Sequence, residues 1–128
     1  MRHFFGIPDE EFIRGDVPMT KCEIRKAVMN EARIEEDSIV LDVGAGTGSI
    51  SIEAALAAPK GGHVYAIERF DKGIELIHEN MKKFNVNNMT VIKRKPLKAW
   101  RIYRNLMRLL SAAAPAAWAP LWMKHSAY

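Results

Sequence analysis

The sequence predicts an α/β fold in which a doubly wound, mostly parallel sheet carries helices on both faces. Three observations predict it: helical and strand patterns alternate over residues 20–93, a glycine-rich turn follows the first strand, and a carboxylate ends the second strand. Alternation of this kind implies right-handed crossovers between parallel strands. The chain has 128 residues and a single cysteine, Cys22, which suits one domain without internal disulfides or a multi-cysteine metal site.

The first helix is predicted to begin at Thr20, after an irregular segment that is rich in glycine and proline. Glu23 follows three residues later, which is the spacing of a capping box. Asp37 ends the helical pattern. The apolar stripe of this helix is predicted to consist of Ile24, Ala27, Val28 and Ala32.

The remaining elements alternate between strands and helices. The β-branched run at 38–43 predicts a buried strand, and 49–58 predict a helix that a proline and two glycines end. Residues 63–68 predict the second strand, and 89–93 predict the third. Asp71 is predicted to cap the helix between them. Its apolar positions at helical spacing are Ile74, Ile77, Met81 and Phe84.

The turn between the first strand and its helix is the candidate ligand site. It consists of Gly44, Ala45, Gly46, Thr47 and Gly48. Its glycines let the backbone approach a ligand closely, and the following helix offers unpaired N–H groups. Open α/β folds bind ligands at the carboxyl ends of their strands. Asp42 precedes the turn, and Glu68 ends the second strand, where a carboxylate can accept both hydroxyls of a ribose.

Two classes of ligand compete for a turn of this kind. A dinucleotide site needs G-x-G-x-x-G, and Ser49 occupies the place of its third glycine. The pattern is instead D-x-G-x-G-x-G. An acid before the turn would repel a pyrophosphate but suits a ligand with a cationic amino group, as in S-adenosylmethionine. The pattern therefore favours this methyl donor over a dinucleotide, and a tight turn without a ligand is the remaining alternative.

Motifs along the body of the chain add a more specific resemblance. They are GIPDEEF at 6–12, VPMTKCEIR at 17–25, LDVGAGTGSISIEAA at 41–55 and VYAIE at 64–68. Together they resemble the decarboxylating precorrin-6B methyltransferases of cobalamin biosynthesis, which are class I S-adenosylmethionine-dependent methyltransferases with a Rossmann-like fold. The resemblance covers residues 6–93. It implies methylation of carbon 15 of a tetrapyrrole, a corrin precursor, with loss of the ring C acetate carboxyl.

The resemblance also assigns residues to the cofactor site. It implies that Thr20 and residues 44–48 contact S-adenosylmethionine and that Glu68 binds its ribose, while Asp42 suits its ammonium group. Thr20 has an alternative interpretation as a plain N-cap. Lys21 is a candidate to neutralise a substrate carboxylate, and a solvated lysine is the alternative.

The expected reaction is an in-line displacement of the methyl group from a sulfonium. The cofactor carries the reactivity and the protein holds donor and acceptor in line, so no strong general base is required. No catalytic residue and no metal site is therefore assigned. The family resemblance implies a homotetramer. The acidic N-terminus lacks the apolar core of a signal peptide, and a cytoplasmic location is expected.

The last part of the chain has a different composition. Residues 1–94 hold 13 basic and 15 acidic residues, whereas 95–128 hold six basic residues and neither an acid nor a glycine. The body therefore has a formal charge of −2 and the tail one of +6, so the net charge of +4 comes from the tail. Neither nucleic acid nor a membrane is predicted as a partner of the body. The domain organisation is interpreted as 1–94, the N-terminal, cofactor-binding half of a methyltransferase domain truncated after about three strands, and 95–128, a tail foreign to the family.

A change of reading frame after Lys95 is the favoured hypothesis for the tail. Alanine codons begin with GC, so in the neighbouring frame each gives glycine, serine, arginine or cysteine. The run at 112–117 therefore permits a glycine- and serine-rich loop in that frame, and 97–108 permit an acidic segment. The alternative is a genuine basic amphipathic helix, suited to an anionic surface or a partner groove. Two further alternatives concern function: an inactive fragment, and a methyltransferase for another substrate.

Overall fold

The computed structural model describes residues 5–95 and 118–120 as a sheet flanked by helices. A short 3-10 turn, Asp9–Glu11, precedes the helices, and the strands alternate with them as predicted. The helices are α1 (Cys22–Ala32), α2 (Ser49–Ala57) and α3 (Asp71–Lys83). The strands are β1 (Ile39–Val43), β2 (His63–Glu68), β3 (Met89–Lys93) and β4 (Trp118–Pro120).

All strand pairs in the sheet are parallel, in the order β3-β2-β1-β4. In the register, Asp42 of β1 lies beside Ala66 of β2, and Glu68 of β2 lies beside Lys93 of β3. Helices cover the sheet, so β1 and β2 are mostly buried, as parallel strands usually are. The predicted α/β class and its first three strands are confirmed.

The sheet has a fourth strand, β4, whereas the sequence analysis predicted a domain truncated after about three strands. Trp118 pairs with Ile39 and Pro120 with Leu41, so the edge of β1 is occupied. Backbone groups of any sequence can satisfy an unpaired strand edge, and such pairing does not require the side-chain pattern of a family strand. The rest of the tail, on which the frame-shift and amphipathic-helix hypotheses depend, lies outside the described residues.

The core lies between the sheet and its helices. The three helices and strands β1 to β3 contribute to it, and the side chains that are almost completely enclosed include Met29, Val40, Ile52, Val64 and Ile77. The glycine-rich turn lies at one end of this core, between β1 and α2. The core therefore fixes the carboxyl ends of β1 and β2 next to each other, where the candidate site was predicted.

Two predicted helix caps are wrong. The N-cap of α1 is Lys21, not Thr20, and no side chain caps this helix. The Thr20 carbonyl instead accepts a hydrogen bond from Arg25 Nη1 at 2.8 Å, one residue before the cap. Asp71 is the first residue of α3 rather than its cap, and its carboxylate pairs with Lys93 Nζ at 2.6 Å. Both helices therefore begin without a side-chain cap.

The predicted apolar stripe of α1 is also wrong in part. Ile24 is 59% exposed and Ala27 is exposed, whereas Arg25, Met29 and Ala32 are buried. The buried face is turned relative to the predicted stripe because Arg25, a charged residue, finds a buried partner inside the fold. Periodicity of apolar residues cannot identify such a face.

Candidate functional site

The glycine-rich turn is held in a conformation that favours glycine. Gly44, Gly46 and Gly48 have φ angles of +77°, +59° and +85°, in the left-handed region where other residues are strained. The Ile67 carbonyl of β2 accepts the N–H groups of Gly44 and Ala45 at 2.8 and 3.0 Å. Gly48 is the N-cap of α2. We call residues 44–48 the glycine loop.

Close packing surrounds the glycine loop on two sides. A Cβ atom on Gly46 would lie 3.3 Å from the Pro18 carbonyl oxygen, and one on Gly48 would lie 3.1 Å from Ile77 Cγ1. A Cβ atom on Gly44 would meet no heavy atom of the described residues within 4 Å. The loop is therefore packed between the segment before α1 and helix α3, and none of the described residues packs in this way against Gly44.

Asp42 lies near the end of β1 with its carboxylate buried. The Ser51 hydroxyl, in the first turn of α2, donates a hydrogen bond to Asp42 Oδ2 at 2.5 Å. Ser51 is itself fully buried. The sequence analysis predicted Asp42 but missed Ser51, which orients that carboxylate from the helix behind the glycine loop.

Glu68 ends β2 and is also buried. Burial raises the pKa of its carboxyl group above the usual value, and the nearby charge of Asp42 raises it further, while the Arg69 N–H and guanidinium oppose the shift. A Cβ atom on Gly73 of α3 would lie only 2.6 Å from Glu68 Oε2. The fold thus brings together both predicted carboxylates, with the glycine loop after Asp42.

The other predicted site residues have different surroundings. Thr20 is half-buried in the segment before α1, and Lys21 is exposed at the N-cap of that helix. The Thr47 side chain is 1% exposed, and its Oγ1 has no hydrogen-bond partner among the described residues.

A buried ion pair between α1 and α2 was not predicted from the sequence. Arg25 Nε lies 2.8 Å from Glu53 Oε2, and both side chains are fully buried. Glu53 Oε1 accepts the N–H groups of Gly6 and Ile7 at 2.9 and 3.1 Å. The sequence did offer one indication of this pair, because Glu53 is the one charged residue of helix α2.

The same guanidinium organises the segment before α1. Arg25 Nη1 also reaches Asp9 Oδ1 at 3.2 Å, and Arg25 Nη2 donates to the Ile7 carbonyl. The Phe12 ring lies against the guanidinium, with 4.7 Å from Arg25 Cζ to the ring centroid. Arg25 and Glu53 therefore attach the N-terminal segment to α1 and α2.

Asn80 was likewise not predicted from the sequence. It is fully buried in α3, and its amide contacts both the N-terminal segment and the glycine loop. An asparagine in the middle of an amphipathic helix carries no sequence signal for such a role. Its hydrogen bonds join residues that are 67 and 33 positions apart in the chain.

Other kinds of site were searched for in the described part of the chain. Over residues 5–95 and 118–120, no group of three or more His, Cys, Asp or Glu side chains is arranged to hold a metal ion. No helix within the same residues is long and apolar enough to cross a membrane. The glycine loop with its two carboxylates is therefore the site developed below.

Comparison with known families identifies the chain. A sequence model of the precorrin methyltransferase domain matches residues 11–106. The chain belongs to the precorrin methyltransferase family. The motif resemblance noted above is thereby confirmed.

Curated members of the precorrin methyltransferase family are similar over the body of the chain. A probable cobalt-precorrin-6B C(15)-methyltransferase (decarboxylating) from Sulfolobus acidocaldarius is 48% identical over 89 residues, which are 69% of this chain and 46% of that protein. The chain thus spans about half the length of the curated relatives it matches.

Solved structures of this family and of other methyltransferases share the fold. The precorrin-6y C5,15-methyltransferase from Geobacter metallireducens superposes with a TM-score of 0.68 at 32% identity, over 77% of this chain and 54% of the other. A SAM-dependent methyltransferase from Aquifex aeolicus gives a TM-score of 0.50 at 28% identity, over 56% and 38% of the two chains. The predicted Rossmann-like methyltransferase fold is confirmed.

Proposed function

We propose that this chain binds S-adenosylmethionine at the glycine loop and is the cofactor-binding part of a methyltransferase that acts on carbon 15 of precorrin-6B or its cobalt form. The observation that carries the proposal is the pair of buried carboxylates, Asp42 and Glu68, at the ends of adjacent strands beside a left-handed glycine loop. The printed activity of the similar proteins, decarboxylating C(15)-methyl transfer, supports the choice of substrate.

The donor set fits this cofactor better than a dinucleotide. Two carboxylates at the loop would repel a pyrophosphate, whereas they can accept the hydroxyls of a ribose and the N–H groups of an ammonium. None of the described residues would contact a Cβ atom on Gly44, so a ligand could lie against the backbone there. We assign Glu68 to the ribose, Asp42 to the amino end of the ligand, and the backbone of the glycine loop to close contact with it.

The chemistry asked of these residues is positioning. When bound, the cofactor supplies an activated methyl group. Glu68 and the glycine loop hold its adenosine side, and Asp42 holds its amino-acid side, so the methyl carbon faces the acceptor in one orientation. No described residue is assigned to the loss of the ring C carboxyl. Lys21 stays a candidate for a substrate carboxylate because it is exposed at the start of α1.

Isothermal titration of the full chain with S-adenosylhomocysteine tests the cofactor site. We expect binding near the micromolar range, about −8 kcal/mol, and a loss of at least about tenfold in Glu68→Ala because the ribose acceptor is gone. Glu75→Ala, an exposed carboxylate of α3, is the matched control and should bind as the unchanged chain does. Absence of binding by the unchanged chain would refute the proposal.

A second candidate function is cofactor binding without methyl transfer. The described residues supply a glycine loop and two buried carboxylates for the cofactor, and none of them is assigned to the reaction on the substrate. Transfer of labelled methyl groups from S-adenosylmethionine to precorrin-6B or cobalt-precorrin-6B separates the candidates. Binding without transfer supports the second candidate, and transfer to carbon 15 supports the first. Transfer only to other acceptors would support a methyltransferase for another substrate.

We extend the proposal to the domain organisation and the partners. Residues 1–94 are the cofactor-binding half of the domain, and 95–128 are translated out of frame. The family match extends to residue 106, which lies beyond the proposed frame change after Lys95. The nucleotide sequence of codons 90–128 is the direct test of that change. If those codons, shifted by one base, lack the acidic and glycine-rich segments, the frame hypothesis fails. The remaining assignments are a tetrapyrrole substrate, the family's homotetramer, a cytoplasmic location, and no nucleic-acid or membrane partner.

A further inference from the structure

Asn80 of α3 is fully buried, and its side-chain amide makes three hydrogen bonds. Its Oδ1 accepts the Ile13 N–H at 2.8 Å, and its Nδ2 donates to the Ile13 carbonyl at 2.8 Å. The same Nδ2 donates to the Thr47 carbonyl of the glycine loop at 3.0 Å. One side chain thus joins three parts of the chain that are distant in sequence.

The bond to Thr47 restrains a peptide group that would otherwise turn easily. The peptide between Thr47 and Gly48 is held on both sides, since Asn80 binds its carbonyl and the Ala45 carbonyl accepts the Gly48 N–H at 2.8 Å. Glycine on either side of Thr47 gives the loop many alternative backbone conformations. A loop of this composition binds a ligand well only if its conformation is set in advance, because ordering it costs entropy.

The bonds to Ile13 fasten the N-terminal segment to the same point. Phe12 is buried beside Phe84, with ring centroids 5.0 Å apart, and Lys83 Nζ donates to the Glu11 carbonyl. Residues 11–13 are therefore attached to α3 by both backbone and side chains. The glycine loop and this segment share Asn80 as their common anchor.

We propose that Asn80 is a positioning residue that sets the conformation of the glycine loop and couples it to residues 11–13. Its effect on the loop follows from the hydrogen bonds alone. Its effect on affinity for the methyl donor rests on the proposed function. In that role Asn80 acts through the Thr47 backbone and has no contact with the reacting atoms.

Asn80→Ala and Asn88→Ala form a matched pair for the test. Asn88 also donates its amide hydrogens to backbone carbonyls, those of Ala55, Ala58 and Gly62, but in the last turn of α2 and the turn that follows it. Both variants should lower the melting temperature. Only Asn80→Ala should speed hydrogen exchange at the Gly48 and Ile13 amides, by about tenfold beyond the change that global stability explains.

The ligand-free exchange measurement keeps this inference separate from the proposed function. If the unchanged chain does not bind S-adenosylhomocysteine, the proposed function fails, and the exchange rates still decide the role of Asn80. If the unchanged chain binds, Asn80→Ala should weaken binding about tenfold and Asn88→Ala should not. Equal exchange at Gly48 in the two variants would overturn the inference.

A second variant keeps the test decisive if Asn80→Ala does not fold. Ile13→Pro removes the N–H that Asn80 accepts, and Phe12 already has the extended backbone that a following proline needs. If Ile13→Pro leaves Gly48 exchange unchanged, the coupling between segment and loop is refuted.

Discussion

Arg25 on α1 and Glu53 on α2 form an ion pair in which neither side chain is exposed to solvent, with 2.8 Å between Nε and Oε2. The pair also binds the backbone of Gly6, Ile7 and Thr20. The segment that it holds continues to Pro18, whose carbonyl lies against Gly46. The Arg25–Glu53 pair therefore supports one wall of the candidate site.

Glu53→Ala should strongly destabilise the fold. It removes the fully buried carboxylate partner of the Arg25 guanidinium, which keeps only the more exposed Asp9 carboxylate, and it removes the acceptor of two backbone N–H groups. Breaking a buried pair in this way costs about 3–5 kcal/mol of unfolding free energy. Urea denaturation measures it, and Glu75→Ala on the surface of α3 should change the value by less than about 0.5 kcal/mol. A loss below about 1 kcal/mol for Glu53→Ala would contradict the role given to the pair.

Gly73→Ala should impair ligand binding more than stability. Alanine favours a helix by about 1 kcal/mol over glycine, but its Cβ would lie 2.6 Å from Glu68 Oε2 and 3.0 Å from the Gly46 carbonyl oxygen. The flexible end of Glu68 must move away, so affinity for S-adenosylhomocysteine should fall about tenfold by titration. His78→Ala, an exposed position of the same helix, serves as control. Unchanged affinity in Gly73→Ala would exclude this placement of Glu68.

Glu68→Gln should stabilise the ligand-free protein at neutral pH. Burial raises the pKa of the Glu68 carboxyl in the folded state above its usual 4.5, so folding favours the protonated form. The unfolded chain therefore releases this proton first as the pH rises, and Glu68 lowers stability above that range. The advantage of Glu68→Gln, measured by thermal unfolding, should be present at pH 7 and shrink below pH 4.5. An equal advantage at both pH values would show that charge is not its cause.

Ser51→Ala should loosen the Asp42 carboxylate. The Ser51 hydroxyl donates to Asp42 Oδ2 at 2.5 Å inside the protein, and alanine leaves that oxygen without this donor. The expected loss of unfolding free energy is about 1–3 kcal/mol. Ser51→Thr keeps the hydroxyl and should lose less. If Ser51→Ala and Ser51→Thr are equally stable in urea, the hydrogen bond does not support Asp42.

Much of the fold was predictable because it depends on local patterns. The β2 and β3 bounds agree with the prediction, and the glycine spacing indicated the loop with its positive φ angles. Alternation and turn chemistry act between residues that are near each other in the chain, so a single sequence displays them. The predicted caps at Thr20 and Asp71 are each one residue away from the observed N-caps, Lys21 and Phe70, because local sequence specifies the exact end of a helix less strictly than the helix itself.

The sequence by itself determined the α/β order, the family and the two carboxylates that flank the glycine loop. Only the tertiary structure decided that Arg25 meets Glu53, that Asn80 joins Ile13 to Thr47, and that β4 lies beside β1. The side-chain contacts join residues that are 28 to 67 positions apart in the chain. A buried polar group must find a partner, but which partner it finds depends on how the helices pack on the sheet.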